Sequence, residues 1–549
     1  MKISSPDRFA APDSPPLLAA YAALAEVPQP EPVPAVSMLA ARRLAIVGDA
    51  GVALGWAERL AGQRQVTVVA TDTVFDGVAL PDGDEVVFAP GRVLELAGHL
   101  GAFELRWESP QGVPQQGMFD TVLDLSGAPL LKRVELPQGY AAPGRDPLDQ
   151  ALAVIDLLAF EGEFEKPRYV AVNERLCAHS RSQKAGCSKC LDVCATEAIV
   201  SAGDTISLDP YLCQGCGTCT TVCPSGALAY QYPRAVDVGV SIRAQLTAYR
   251  AAGGQDACLL FHSATAGSKQ LASLRRAGQA LPANVMPLET WSVDAVGLDL
   301  ILGGIALGAS RVAILGAGSH DLAPLRTQAG LAQRILNGLG YAGDHVKIVP
   351  AESDLMAALT DWTQTTAVPA AEFRLLPEKR TTLEFVIDHL LRHAPRPVDA
   401  IELPVGAPFG TLAVSDACTL CMSCTSACPA SALKAAADAP RLSFLERNCL
   451  QCGLCASTCP EQAITLTPRL LLARRKDERV LKEAEIFHCT ACGKPMGAKP
   501  IIDGMIARLA GHSMYASPEA LARLTQCGDC RVIDMINKEK TLNAWEMSE

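Results

Sequence analysis

Cysteine is the residue whose spacing predicts chemistry in this chain, and most of its 21 copies fall into regular runs. One reads Cys418-x-x-Cys421-x-x-Cys424-x-x-x-Cys428-Pro429. A second repeats it as Cys449-x-x-Cys452-x-x-Cys455-x-x-x-Cys459-Pro460. Three thiolates at this spacing wrap one [4Fe–4S] cubane, while the fourth cysteine of the run ligates the other cubane of the pair. The proline then turns the chain out of the site. The pattern predicts one cubane on Cys418, Cys421, Cys424 and Cys459, and a neighbour on Cys449, Cys452, Cys455 and Cys428. Zinc or inert thiols would not call for two full runs in tandem.

An earlier region carries the regular run Cys213-x-x-Cys216-x-x-Cys219-x-x-x-Cys223-Pro224. Its upstream companion departs from the pattern: Cys177, then residues 178–186, then Cys187-x-x-Cys190-x-x-x-Cys194-Ala195. The insertion is polar and basic, so it is expected on the surface. The same exchange predicts one cubane on Cys177, Cys187, Cys190 and Cys223, and another on Cys213, Cys216, Cys219 and Cys194. At the Cys177 corner the alternatives are His179, an external ligand or a three-iron cluster. His179 otherwise reads as a loop histidine.

Four cubanes take sixteen thiolates of the 21 and leave five. Four of these form Cys489-Thr-Ala-Cys492-Gly493 and Cys527-Gly-Asp-Cys530. Two such knuckles supply the tetrahedral donor set of a structural Zn2+ site, and a helix near residues 501–509 must fill the gap between them. A fifth iron–sulfur cluster or a rubredoxin-type iron is the alternative, and His488 or His512 could replace a thiolate. Cys258 stands alone in an apolar strand and reads as a buried, inert thiol.

Other motifs are weaker. Gly48-Asp-Ala-Gly51-Val-Ala-Leu-Gly55 sits between a strand and a helix, where a dinucleotide fingerprint belongs. Its spacing is not Gly-x-Gly-x-x-Gly, and Asp49 would oppose a pyrophosphate at the helix N-terminus. Asp72 ends the next strand at a ribose-binding place, yet bound FAD or nicotinamide is not expected. Gly316-Ala-Gly318 is too short for a phosphate site. His389 and His393 share a helix face without the glutamate of a metallohydrolase and read as a solvated helix end. No nucleophile elbow or P-loop is present in the sequence, and no catalytic residue is assigned.

These sites need elements to position them. At ~100–200 residues per domain, 549 residues imply roughly three to five units. With 48 basic and 59 acidic residues the net charge is −11, which argues against a nucleic-acid partner and fits a soluble protein meeting a basic one. Acidic residues near the start (Asp7, Asp13) argue against a signal peptide. The apolar stretch 17–25 reads as a small helix capped by Ser14. The longest apolar region, 293–318, contains Asp294, Asp299 and Arg311, so no integral membrane segment is expected. A reducing cytoplasm is the expected location, with the thiols as metal ligands rather than disulfides.

The expected fold is α/β and multidomain. A Pro- and Ala-rich leader (1–38) precedes a Rossmann-like α/β domain (39–148) with strands at 44–47, 66–70 and 121–125. Ferredoxin-like α+β modules (149–236 and 403–470) flank a second α/β domain (237–352) and a connector (353–402). A zinc-ribbon-like domain (471–549) ends the chain. The cysteine module thus occurs twice, as an internal repeat.

The cysteine runs resemble those of bacterial eight-iron ferredoxins. The stretch from Gly162-Glu-Phe-Glu-Lys-Pro-Arg-Tyr-Val into Cys177, with the segment to Cys194 and residues 209–224, resembles heterodisulfide-reductase-A-like polyferredoxins. It is also similar to iron–sulfur proteins associated with bacterial formate dehydrogenase systems. Residues 256–318, with Leu288-Glu-Thr-Trp-Ser-Val-Asp294 and Ala309-Ser-Arg-Val-Ala-Ile-Leu-Gly316, resemble the hydrogenase delta-subunit domain. That family's [2Fe–2S] cysteines are absent apart from Cys258. The resemblance implies electron transfer to or from a dehydrogenase or reductase subunit, a formate dehydrogenase among them, rather than stand-alone catalysis. The rival readings are a flavin- or NAD-linked oxidoreductase subunit and a maturation factor for a metalloenzyme.

Overall fold

The computed structural model describes residues 14–71, 86–319 and 321–546; Asp7, Asp13 and Asp72 lie outside the described residues. The chain forms a mixed α/β, multidomain structure.

The first sheet holds five parallel strands in the spatial order Val86–Phe88, Gln65–Ala70, Arg43–Gly48, Thr121–Leu125, Tyr140–Ala141. Strands covered on both faces need continuous apolar runs, and Leu44-Ala-Ile-Val47 is fully buried. Helices Ala50–Leu60 and Pro147–Leu158 cover one face through Leu54, Ala57, Val154 and Leu157. The antiparallel meander Arg92–His99, Ala102–Glu108, Pro114–Phe119 covers the other with Phe103, Leu105, Trp107 and Phe119.

The leader does not behave as a loose extension. Helix Pro15–Ala25 inserts Leu17, Ala20 and Tyr21 into the core of the second α/β domain, beside Ile242 and Leu246. Ser14 does not cap it by its side chain; its hydroxyl donates to the Ala283 carbonyl at 3.4 Å. Strand Ala35–Ala40 then pairs antiparallel with Gly162–Pro167, so the chain entering the first domain is zipped to the chain leaving it.

The second α/β domain has four parallel strands ordered Val285–Thr290, Cys258–Ser263, Arg311–Leu315, Val346–Val349. Its core extends well past residue 352. Helix Lys379–Arg392 buries Leu383, Val386, Ile387 and Leu390 in it, so most of the expected connector is structural core. Cys258 is sealed between strands, and burial pushes its thiol up to about 12. The reading of the histidine pair as a solvated helix end holds for His393, which is exposed at the helix C-terminus, and fails for its neighbour. His389 is buried, with Nε2 2.6 Å from the Pro369 carbonyl oxygen and its ring 4.7 Å from that of His393. Burial lowers its pKa.

Each cysteine module combines one short hairpin, one antiparallel pair that joins its first and last strands, and short helices. The first pairs Val170–Val172 with Leu228–Tyr230, and Ile199–Ala202 with Thr205–Leu208. The second pairs Gly410–Val414 with Ile464–Leu471, and Leu433–Ala435 with Arg441–Leu445. Strand Glu478–Glu483 also pairs with Arg441–Leu445, so the second module runs beyond residue 470. The final segment is a hairpin, Ile486–His488 with Pro495–Ala498, followed by helices Lys499–Leu509, Pro518–Arg523 and Gly528–Glu546. Among the described residues, no helix is long and apolar enough to cross a membrane.

Candidate metal centres

The cysteine loops turn through left-handed backbone at matched positions. In the three regular runs these are Gly215 and Gly217, Leu420 and Met422, and Gln451 and Gly453. Another left-handed residue stands three places after every fourth cysteine: Glu197, Gly226, Ser431 and Gln462. Side chains rarely adopt this conformation, so the loops hold their curvature at some cost in strain. The curvature aims backbone at sulfur. Leu420 N–H donates to Cys418 Sγ at 3.4 Å, Ala432 N–H to Cys428 Sγ and Ala463 N–H to Cys459 Sγ, both at 3.3 Å. Bonds of this kind stabilise a thiolate.

The thiols converge in four sets. Burial pushes Cys190 up to about 12, with Cys223, Cys187 and Cys177 adding to the rise. Burial likewise raises Cys213 to about 11, and Cys216 and Cys194 are the thiols that add to it. Cys424 is pushed up to about 12 by burial, then by Cys418, Cys421 and Cys459. Cys452 rises to about 11 by burial, then through Cys449 and Cys428. In each set the fourth cysteine of one run faces the first three of the other. Each set holds at least one thiol that burial and its neighbours raise, and the irons of a cubane would supply the positive charge that lets such a thiol bind as thiolate. The donor sets fit that group.

The inserted residues 178–186 meet the surface reading only in part: residues 182–185 are exposed, while Ala178 and Ser180 are buried. The insertion forms a hairpin, Ser180–Arg181 with Lys184–Ala185, that docks on the second module. Ala178 packs with Leu450 and Leu454 in an apolar cluster that Cys187 and Cys452 also join. Ser457 Oγ donates to the Ala185 carbonyl at 3.0 Å. A Cβ on Gly186 would come within 2.5 Å of Leu454 Cγ, so the close approach requires glycine. Cys187 also adds to the raised pKa of Cys452, which brings one set from each module side by side. His179 has Nδ1 3.0 Å from the Cys187 carbonyl oxygen and Nε2 2.8 Å from Ser201 Oγ. Both ring nitrogens are thereby engaged away from the Cys177 corner.

The C-terminal set is tighter. The sulfurs of Cys489, Cys492, Cys527 and Cys530 all lie within 4.8 Å of one another, with Cys492 Sγ 3.7 Å from Cys527 Sγ. Among the described residues no other group of histidine, cysteine or acidic side chains converges so closely. One ion bound by all four sulfurs requires that spacing, whereas a cubane spreads its thiolates over four irons. The Cys527 N–H, 3.2 Å from Cys489 Sγ, lowers that thiol to about 6 and prepares it as a ligand. His512 accepts from the Met514 N–H and is a local cap.

Three cations near the sets escape a reading of cysteine spacing. Lys166 Nζ donates to the Cys213 carbonyl at 3.1 Å. Lys379 Nζ reaches the Cys223 carbonyl at 3.2 Å, and Arg380 Nη2 lies 3.5 Å from that of Cys449. One signal was available for the last two: basic residues opening a helix oppose its dipole.

Two segments match family models described as a 4Fe-4S dicluster domain, residues 185–227 and residues 417–464. The second match spans all eight cysteines of its module, while the first begins after Cys177. None of the curated proteins compared with the chain matches it. The two dicluster domains make this an iron–sulfur, ferredoxin-like protein with an electron-transfer role.

Proposed function

We propose that the chain relays single electrons through four [4Fe–4S] cubanes in a row, to or from a partner oxidoreductase. Cys187 beside Cys452 at the module boundary carries this reading. It suggests the order Cys213/Cys216/Cys219/Cys194, Cys177/Cys187/Cys190/Cys223, Cys449/Cys452/Cys455/Cys428, Cys418/Cys421/Cys424/Cys459. A thiolate-bound cubane supplies reversible one-electron transfer. The protein fixes the separations, because transfer falls off steeply with distance. The resemblances favour a dehydrogenase or reductase subunit as partner, a formate dehydrogenase among them, in the cytoplasm.

The remaining parts fit a supporting role. For a tetrahedral ion with bonds of ~2.3 Å, four thiolates lie about 3.8 Å apart. The 3.7 Å between Cys492 and Cys527 favours a structural zinc in a ribbon-like domain beginning near residue 484. We read the first domain as a Rossmann-like scaffold without FAD. Asp49 accepts from the Gly51 N–H at 3.1 Å and so takes the helix N-terminus a pyrophosphate would use.

Cys216→Ser tests the assignment. It is expected to alter one centre of the first module while the spectrum of the second stays intact. Loss of signal from both modules would contradict the assignment. Stoichiometric flavin in the same denatured samples would favour a flavin-linked enzyme instead.

A further inference from the structure

We propose that Lys379 and Arg380 are positioning residues that join the two inner centres and hold both at a raised reduction potential. The inference rests on the four-cluster reading. These neighbours open helix Lys379–Arg392, and their side chains reach into different modules. Lys379 Nζ donates to the carbonyls of Thr220 at 3.0 Å, Thr221 at 2.7 Å and Cys223 at 3.2 Å. Thr220 and Thr221 lie in the short helix Thr218–Val222 that ends at Cys223. Arg380 donates to the carbonyls of Pro408 at 2.9 Å and Arg447 at 2.6 Å, and its guanidinium lies 4.6 Å over the Phe409 ring. The same guanidinium is 3.5 Å from the Cys449 carbonyl, beside the second inner set.

Neither cation forms an ion pair within 4 Å among the described residues, although Asp299 acts on Lys379 and Glu384 on Arg380 from further away and each offsets part of the field. The placement also runs against local preference, since a positive charge at a helix N-terminus is disfavoured by the dipole. Such a residue survives where another interaction outweighs the local rule. Here two adjacent cations and the positive helix end all face the junction of the modules. On gaining an electron from its redox partner, a cubane gains one negative charge and loses none of its ligands. A fixed positive charge therefore favours the reduced form. Arg181, which donates to the Cys177 carbonyl at 3.4 Å, adds to the same field. No Lys or Arg among the described residues donates to a carbonyl of Cys418, Cys421, Cys424 or Cys459. Lys166, at the Cys213 carbonyl, serves the outer set of the first module, so among the described residues three of the four cations that donate to cluster-cysteine carbonyls belong to the inner pair.

The test is an EPR-monitored redox titration of the full-length protein carrying Lys379→Met, Arg380→Met or Lys379→Arg. The inner centres are identified as those altered by Cys187→Ser and by Cys452→Ser. Lys379→Met should lower the reduced-to-oxidised ratio of the first inner centre about tenfold at a fixed solution potential, equivalent to 59 mV for one electron. Arg380→Met should act the same way on the second, and Lys379→Arg should restore the first. Loss of iron in Lys379→Met with retention in Lys379→Arg would also support a role for the charge. Unmoved potentials in both methionine variants, or iron loss in Lys379→Arg as well, would overturn the inference. Wild-type iron near eight per chain would instead remove the four-cluster reading itself.

Discussion

Cys492→Ser is expected to release the C-terminal metal and open residues 486–546 to protease while the cubanes keep their absorbance. The segment has little else to hold it. Helix Gly528–Glu546 leaves Val532, Ile533, Met535 and Ile536 exposed, and of helix Lys499–Leu509 only Ile502 is buried. A structural zinc in a small domain contributes about 10–16 kcal/mol of apparent binding free energy, comparable with the whole stability of a domain. Serine removes one of four thiolates. The segment touches the second module through Ala498 and Ile501, which pack on its core, and through Arg508, whose guanidinium donates to both Glu461 oxygens at 2.7 and 2.9 Å, a pair worth at most ~1 kcal/mol. Limited proteolysis with zinc analysis checks the expectation. Full zinc content and unchanged resistance would contradict it.

A second large effect is expected at the joint. Leu454 is completely buried between Ala178, Leu450 and the inner cysteines, and Leu454→Glu puts a carboxylate there with no partner. Burying an unpaired charge costs several kcal/mol, enough to separate the modules without unfolding either. Magnetic coupling between the two inner centres, seen as broadening in the EPR spectrum of the reduced protein, should disappear. Leu454→Ala should weaken packing by about 2–5 kcal/mol and give an intermediate result. Coupling undiminished in Leu454→Glu would show that the modules are not held by this contact.

The two dicluster segments were legible because cubane ligation is written in short spacings. The joint was not legible. Ala178 and Leu454 lie far apart in sequence, and a short polar insertion has no periodicity to show that its backbone docks on another module. The helix Pro15–Ala25 was visible as a helix, but its partner core, formed by residues such as Ile242 and Leu246, depends on the folded topology. Residues 353–402 carried mixed signals, so the burial of Leu383, Val386 and Ile387 went unseen. The antiparallel meander over the first sheet was missed because its strands present one apolar face only. His389 shows the limit of a histidine spacing: a pair of rings on one helix face says nothing about the carbonyl of Pro369 waiting beside it.

The account's central claim is four cubanes in one chain, and anaerobic analysis of iron and acid-labile sulfide in the fully reconstituted protein tests it most directly. It predicts about 16 irons and 16 sulfides per chain, together with one zinc. A reproducible content near eight irons, with the second module alone accounting for the spectrum, would contradict it.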